Sequence, residues 1–338
     1  MLESEVTIST RVRLARNLQD IPFPFKLDGQ RRREVVNSIT DTIIEKNLLN
    51  MQFDPIDMGG VEPIYKQGLL ERHLISPEFL IETRPSSVLK TKDDKISIMV
   101  NEEDHLRIQC FSHGLDLQNA MNLCMDVESM LEKRHRFAFD SRYGFLTTCP
   151  TNIGTGLRAS VMLHLPALVM TGYIKDIIQG VLNLGLTARG IYGENTDAAG
   201  NMFQISNQKT LGQTEESIVN NVSNVAMQII SQEKNVRAQM YSQNKFKFED
   251  KVMRALGVLS KARLMSLDES FKLLSDVRLG VDMEIIDEVS RQRLDELLIY
   301  IQPGSLQQRL GNRLEVKEMD VYRADLIREL ILQKGGLL

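Results

Sequence analysis

Alternating hydrophobic and polar residues predict several β-strands in the first two thirds of the chain. The clearest is Thr7–Leu14, in which Ile8, Val12 and Leu14 oppose Ser9, Arg11 and Arg13. A period of two is typical of a strand with one buried face. The same pattern predicts further strands at Lys95–Val100, Leu106–Cys110, Tyr143–Thr148, Leu157–His164, Thr187–Tyr192 and Met202–Asn207.

Hydrophobic residues at helical spacing predict helices between and after these strands. In Gln30–Asn47, the side chains Val35, Ile39, Ile43 and Ile44 are expected on one side. Thr214, followed by Glu215 and Glu216, is a favourable helix start. The other predicted helices are Leu115–Lys133, Thr171–Leu184 and most of Lys251–Leu338. We therefore predict two domains, an α+β domain over residues 6–236 and a helical one over residues 237–338.

The composition is that of an ordinary soluble globular protein. The chain has 338 residues, of which 42% are hydrophobic and 25% charged. A net charge of −4 argues against a general nucleic-acid binder. Three widely spaced cysteines, without a CxxC motif, fit a reducing compartment better than disulfides or a zinc site. With no signal peptide or membrane-spanning apolar run, we expect a cytoplasmic protein without a membrane partner or a bound structural metal.

Five arginines fall on the polar faces of predicted strands: Arg11, Arg13, Arg107, Arg158 and Arg189. Neighbouring guanidinium groups repel each other unless an anion lies between them. If these side chains converge on one cleft they suit a triphosphate, because the planar guanidinium makes bidentate contacts with phosphate oxygens. The chain has no GxxxxGK[ST] motif and no protein-kinase signature, so side chains of this kind would have to bind the phosphates.

Acidic residues and a thiol lie close to these arginines in sequence. The segment NEEDH, Asn101–His105, is expected to be a hairpin turn that presents Glu102, Glu103 and Asp104. Glu194 follows the strand that carries Arg189, and Cys149 precedes a glycine-rich bend. Each feature alone has an ordinary explanation, such as solubility or a core cysteine. Together they indicate phosphoryl transfer to a basic acceptor.

The segments STRVRLARN, NEEDHLR, TTCPTNIGTGLRASV and RGIYGE resemble the catalytic domain of phosphagen kinases, in motif order, from about residue 6 to 236. HLISP, ISNQKTLGQTEE and the helical C-terminal region are similar to the bacterial protein-arginine kinases (McsB type) in particular. The resemblance implies an α+β fold in which an antiparallel sheet is flanked by helices, followed by a smaller all-helical domain.

The resemblance also implies functional residues. Glu103 and Glu194 would grip the substrate guanidinium, and Cys149 would lie against it. A carboxylate is needed there because a guanidinium, with a pKa above about 12, is a poor nucleophile until a base accepts its proton. Mg²⁺ would bridge the nucleotide oxygens. The implied ATP contacts are Ser9, Thr10, Arg11, Val12, Arg13, His73, Arg107, Arg158, Ala159, Ser160, Val161, Met162, Arg189, Gly190, Ile191, Tyr192, Gly193 and Glu194.

The sequence departs from the family pattern at two places. Asn195 stands where the family usually has glycine, which asparagine can replace because it tolerates a positive φ. The RDxxRA phosphoarginine-binding motif begins here with Met319, so an allosteric site at Asp320, Arg323 and Ala324 would lack one arginine. The alternative is that Asp320 and Arg323 form a structural ion pair on one helix face.

We therefore expect an ATP-dependent protein-arginine kinase. The resemblance implies protein substrates, a zinc-binding activator, a heat-shock repressor, a Clp-type protease that degrades marked proteins, and a homodimer. Two alternatives stay open at this point: a kinase for a free guanidino compound, and a non-catalytic adaptor that binds phosphoarginine. The intact set of acids, thiol and five arginines counts against the adaptor.

Overall fold

The computed structural model describes residues 5–45, 48–190 and 198–332. Its strands are β1 (Thr7–Arg16), β2 (Phe53–Asp57), β3 (Ser87–Thr91), β4 (Ile96–Val100), β5 (Leu106–His113), β6 (Phe139–Asp140), β7 (Gly144–Phe145), β8 (Leu157–His164), β9 (Leu186–Gly190) and β10 (Met202–Asn207). Its α-helices are α1 (Gly29–Glu45), α2 (Pro63–Glu71), α3 (Pro77–Leu80), α4 (Leu117–Glu132), α5 (Pro166–Met170), α6 (Ile174–Asn183), α7 (Glu215–Gln243), α8 (Lys245–Lys261), α9 (Leu267–Asp282), α10 (Arg291–Tyr300), α11 (Pro303–Leu310) and α12 (Val316–Leu332).

Eight strands form one antiparallel sheet in the order β2-β3-β4-β5-β1-β8-β10-β9. The first strand of the chain lies at its centre, between β5 and β8. The predicted α+β class with an antiparallel sheet is confirmed, and so is the hairpin of β4 and β5 around NEEDH.

The two faces of the sheet have different neighbours. Val12 and Leu14 of β1 and Ala159 and Val161 of β8 are fully buried on one face, which α1, α4 and α7 cover. On the opposite face, β2 to β4 are covered by residues from α2 to α3, where Leu69, Leu74, Ile75 and Phe79 form a small separate cluster with Met99. The helical region from α8 onward forms its own core and packs against Met162 and Met202 on that same face. On this face, a cleft lies between the α2–α3 region and the helical region.

Three details of the predicted elements are wrong. Ile44 is 45% exposed, because it lies one residue beyond the buried stripe of α1. The strand predicted at Tyr143–Thr148 is reduced to β7, since its neighbours turn toward Cys149. The helix predicted at Thr171–Leu184 begins at Ile174, as α6, and the short helix α5, which ends at Met170 before Gly172 with its φ of 81°, was not predicted.

Helix α7 joins the sheet to the helical region. It starts at the predicted cap, where the Thr214 hydroxyl accepts a hydrogen bond from the Ser217 amide. The predicted domain boundary near residue 236 lies within the last two turns of this helix. The chain then reverses at Asn244, whose side chain caps α8. No helix in the described ranges is long and apolar enough to cross a membrane.

A buried network of charged side chains fixes α7 between the sheet and the helical region. The Glu233 carboxylate accepts hydrogen bonds from the Ala167 and Leu168 amides and from Arg237 Nε at 2.7 Å. Arg237 also donates to Asp282 Oδ2 of α9 at 3.2 Å. The Arg237 guanidinium therefore compensates two buried carboxylates, one on each side of the domain junction.

Replacing Arg237 with leucine should be strongly destabilising, because it leaves Glu233 buried without its cation and leaves Asp282 with Arg291 alone. We expect the free energy of unfolding to fall by about 3–5 kcal/mol in a denaturant titration. Arg254→Leu is the control, since its contact with Asp250 is 4.0 Å long and fully on the surface. That variant should stay within about 0.5 kcal/mol of the parent. Equal losses would show that the network contributes nothing beyond the loss of a charge.

Candidate active site

The five arginines picked out in the sequence share one face of the sheet, here called the arginine face. Arg13 is the cross-strand neighbour of Arg158, and Arg11 that of Ser160. Arg107 lies on β5 opposite Ala15, and Arg189 lies on the edge strand β9. All five line a cleft of about 790 Å³. The structure therefore brings together the residues that the alternation alone could only place on separate strands.

The guanidinium groups of the arginine face lie close enough to lower one another's pKa. Burial, and then the charges of Arg11, Arg107 and Arg158, lowers the pKa of Arg13 well below its ordinary value. Burial, followed by Arg189 and Arg107, lowers the pKa of Arg158. Among the described residues, the buried Nε atoms of Arg13 and Arg158 have no hydrogen-bond acceptor. Because buried donors are normally paired, this face is suited to a multiply charged anion.

The NEEDH turn supplies carboxylates at one end of this face. Glu102 is buried, and its Oε1 accepts hydrogen bonds from the Ser76 hydroxyl at 2.5 Å and from Arg107 at 2.9 Å. Its Oε2 accepts the backbone amide of Glu103 at 3.0 Å. Asp104 is also buried and accepts hydrogen bonds from Asn17 and from the Thr148 amide. These two acids are structural, whereas Glu103 opens to the cleft.

Glu103 has the properties of a proton acceptor. Its carboxylate is 39% exposed and contacts Arg107 at 3.1 Å. Burial raises the pKa of Glu103 above its ordinary value, against the opposing charge of Arg107, and Asp104 and Glu102 add to the rise. A carboxylate with a raised pKa is a stronger base than an ordinary carboxylate.

Cys149 lies on the same cleft, just before the short 3₁₀ helix Pro150–Asn152. Its Sγ is 3.0 Å from the Thr151 hydroxyl. The bend that follows requires glycine: Gly156 has a φ of 60°, and a Cβ there would lie 2.7 Å from the Ala15 carbonyl oxygen. The bend therefore brings the thiol and Arg158 to the same cleft from adjacent parts of the chain.

His73 lies between this cleft and a second one of about 630 Å³. Burial, followed by Arg11 and Arg13, lowers the pKa of His73 to about 3, so the ring is neutral at pH 7. The second cavity shares Arg11 and Gln204 with the first. Its apolar lining includes Met162 and Met202 of the sheet and Leu298 and Ile299 of α10. An apolar cavity beside an anion-binding face suits a nucleotide base.

The other residues predicted to contact ATP fall into three groups. Ser9, Ser160 and Met162 line the second cavity. Thr10, Val12, Ala159 and Val161 are buried on the face opposite the cleft, where they hold the arginine-bearing strands in place. Gly190 ends β9, whereas Ile191, Tyr192, Gly193 and Glu194 lie outside the described residues.

The predicted phosphoarginine site lies far from this face in sequence, on α12. The Asp320–Arg323 pair is present, with a contact of 2.5 Å. Arg323 is 2% exposed, and its guanidinium donates to the Ile301 carbonyl at 2.8 Å and to the Met265 carbonyl at 2.9 Å. Ala324 is buried beside it. These contacts favour the structural ion pair, and phosphoarginine binding stays a prediction.

Several residues of the cleft were missed by the sequence analysis. Ser76, Glu78, Glu82 and Arg84 line it from the α3 region, and α10 lines the second cavity. The Ser76-Pro77 pair was a readable helix start, and the Ser76 hydroxyl does accept the Phe79 amide. The contribution of α10 could not have been found, because no local pattern encodes contact between distant segments.

Comparison with known proteins identifies the class. Residues 34–236 match the ATP:guanido phosphotransferase C-terminal catalytic domain, so this chain belongs to that family. The fold is also that of the lombricine kinase crystal structure, with a TM-score of 0.59 and 24% identity over 70% of this chain and 68% of that one. A duplicated taurocyamine kinase from Schistosoma mansoni has a TM-score of 0.60 and 27% identity over 72% of this chain and 34% of that one.

Within the family, the chain belongs with the protein-arginine kinases. Residues 245–335 match the C-terminal domain of protein-arginine kinase McsB. The protein-arginine kinase of Bacillus subtilis (strain 168) is 45% identical over 99% of this chain and 92% of its own length. That of Caldanaerobacter subterraneus subsp. tengcongensis is 43% identical over 98% of both. The resemblance read from the motifs is confirmed.

The low pKa of His73 makes stability depend on pH in a defined direction. Since the pKa falls from 6.5 to about 3 on folding, the unfolded state binds a proton first as the pH decreases. Stability is therefore intact above about pH 6.5 and is lost toward pH 3. His73→Asn keeps a residue that tolerates the φ of 61° and removes this loss. The acid-unfolding midpoint should move to lower pH.

The exposed His113 is the control for this measurement. His113→Asn should leave the acid-unfolding midpoint unchanged. A midpoint for His73→Asn equal to or above that of the parent protein would contradict the assigned environment of His73.

Proposed function

We propose that this protein transfers the γ-phosphoryl group of ATP to arginine side chains of proteins. The observation that carries this proposal is the arrangement of the cleft, in which an arginine face with unpaired buried donors meets a partly exposed carboxylate of raised pKa. The first feature suits a triphosphate and the second suits a cationic acceptor. The named relatives support the same conclusion.

ATP would bind across both cavities. Its phosphates would lie on the arginine face, with Arg13 and Arg158 donating to the phosphate oxygens, and its base would lie in the apolar cavity beyond His73. The cleft also suits Mg²⁺, which is commonly held by substrate phosphates, waters and one or two carboxylates. Glu78 offers a carboxylate at the cleft for this purpose. When bound, Mg²⁺ would neutralise part of the phosphate charge.

The acceptor guanidinium would lie between Glu103 and Cys149. The Glu103 carboxylate would align it and take the proton as a guanidinium nitrogen forms its bond to the γ-phosphorus. The bond between that phosphorus and the bridging oxygen breaks in the same step, and its electron pair leaves on ADP. Positioning and charge neutralisation account for most of the catalysis in such reactions. We assign Glu194, which lies outside the described residues, as the second acid at the guanidinium.

The wider role is a proposal that rests on the family. We propose that phosphorylation marks cytoplasmic proteins for a Clp-type protease and relieves a heat-shock repressor, with a zinc-binding activator as a partner and a homodimer as the active form. Phosphoarginine sensing through Asp320, Arg323 and Ala324 would be weak. Met319 removes one charge-assisted contact, worth about 1.5–3 kcal/mol, and Arg323 is already bound to internal carbonyls.

The proposed activity is tested by incubating the protein with ATP and casein and analysing the casein by mass spectrometry under non-acidic conditions, because N–P bonds are acid-labile. We expect phosphate on arginine. Free arginine is the competing substrate in a parallel assay. Phosphorylation of free arginine alone would indicate a kinase for small guanidino compounds, and ATP or phosphoarginine binding without turnover would indicate an adaptor.

Glu103→Gln should lower kcat about a thousandfold while ATP binding is retained. The substitution removes the proton acceptor but no residue of the arginine face. Calorimetry with ATP and the casein assay together provide the measurement. Retention of more than about a tenth of the parent activity would exclude Glu103 as the base.

Arg158→Lys should raise the KM for ATP and lower kcat, since an ammonium group cannot reproduce the two parallel hydrogen bonds of a guanidinium. A loss of about ten- to a hundredfold in kcat/KM is expected. Arg136→Lys is the control, because Arg136 is exposed outside the cleft. Equal effects at both positions would mean that Arg158 does not contact the triphosphate.

A further inference from the structure

One buried carboxylate connects the helical region to the segment that carries His73. Glu71, the last residue of α2, is 4% exposed. It accepts hydrogen bonds from the Gly304 amide at 2.8 Å and from the Ser305 amide at 2.7 Å. The Ser305 hydroxyl donates to it at 2.8 Å. The carboxylate thus caps the N-terminus of α11, where amide groups and the helix dipole favour a negative charge.

The two helices are pressed together at this point. A Cβ on Gly304 would lie 2.7 Å from the Gly68 backbone nitrogen and 2.9 Å from the Gln67 carbonyl carbon. Gln308 of α11 also donates to the Ile64 and Tyr65 carbonyls of α2 at 2.9 and 3.1 Å. The position of α2 is therefore set by the helical region.

The end of α2 fixes His73. The helix closes with a hydrogen bond from the His73 amide to the Leu70 carbonyl and another from the Leu74 amide to the Leu69 carbonyl. This is the Schellman arrangement, in which the residue after the cap takes a left-handed conformation. His73 does so, with a φ of 61°. Any movement of α2 is therefore transmitted directly to the histidine between the two cavities.

The segment that follows His73 reaches the NEEDH turn. The Leu74 carbonyl accepts hydrogen bonds from Ser97 and Gln109 of the sheet, at 2.7 and 2.9 Å. Two residues later, the Ser76 hydroxyl donates to Glu102. Glu102 in turn holds Arg107 and the backbone amide of Glu103. Residues 71–76 thus run from the helical region to the neighbour of the proposed base.

We propose that Glu71 is a positioning residue through which the helical region aligns His73 for the nucleotide and, by way of Ser76 and Glu102, aligns Glu103 for the guanidinium. The helical region would then contribute to catalysis, because it sets the positions of His73 and Glu103. This inference rests on the proposed function for its catalytic readout.

Glu71→Gln tests the proposal, because an amide cannot accept both backbone amides without presenting its own NH₂ to one of them. We expect kcat with casein to fall about ten- to a hundredfold and the KM for ATP to rise, since small displacements of positioned groups have effects of this size. Glu233→Gln is the matched control. Glu233 is also a buried carboxylate that accepts two backbone amides, but it lies away from both cavities.

Both variants should lose thermal stability, and the assays are made below both melting temperatures. Only Glu71→Gln should change kcat and KM. Gly304→Ala, which forces the helices apart while keeping Glu71, should reproduce the kinetic loss. Gly257→Ala, where an added Cβ meets nothing within 4 Å, should not. Unchanged kcat and KM in Glu71→Gln, or equal kinetic losses in Glu233→Gln, would overturn the proposal.

A double-variant cycle with Ser76→Ala tests the route to Glu103. If Glu71 acts through Ser76, the kcat of Glu71→Gln/Ser76→Ala should be no lower than that of the single variant with the lower kcat. Losses that multiply would overturn the route. If the parent protein phosphorylates no arginine, the proposed function fails, and the positioning of His73 is decided by calorimetry with ATP. Glu71→Gln should then weaken ATP binding while Glu233→Gln leaves it unchanged, and equal affinities would overturn the role of Glu71.

Discussion

The mutual repulsion of guanidinium groups is the constraint around which this molecule is built. Arg13 and Arg158 face each other across two paired strands, and Arg107 and Arg11 lie on the same side. A rigid sheet is needed to hold them there, since flexible loops would let the charges separate. At one end of this face, Glu102 and Glu103 hold Arg107. The remaining positive charge is kept available for a substrate anion.

The acids of the NEEDH turn show how neighbouring residues of one type acquire different roles. Glu102 and Asp104 are buried, and their oxygens accept internal hydrogen bonds. Glu103 is partly exposed and contacts a single arginine. The backbone of a tight turn projects successive side chains in different directions, so adjacent carboxylates meet different surroundings. The three side chains share one functional group, and their surroundings decide which of them is suited to the proposed role of base.

The sequence was sufficient for some parts of this structure and insufficient for others, for physical reasons. Strand alternation placed Arg11, Arg13 and Arg158 on polar faces correctly, because the period of two depends only on the local backbone. The strand predicted at Tyr143–Thr148 is only two residues long, and its Phe145 exchanges backbone hydrogen bonds with Gly154 of the glycine-rich bend, a pairing that no local pattern encodes. Glu71 contacts α11 across more than two hundred positions of sequence. Helix α10 lines the second cavity together with residues of the sheet, which belongs to the other domain. Such contacts leave no local periodicity to read.

The central position of β1 has a consequence for how the protein is made. Ser160 donates to the Arg11 carbonyl across a separation of 149 residues, and both edges of β1 are paired with strands that are synthesised later. During synthesis this strand leaves the ribosome before β5 and β8, so its edges stay unpaired and its apolar side chains stay exposed until those strands have emerged. Topologies of this kind fold slowly and are open to aggregation. The nascent chain therefore passes through a long interval in which its own central strand is unprotected.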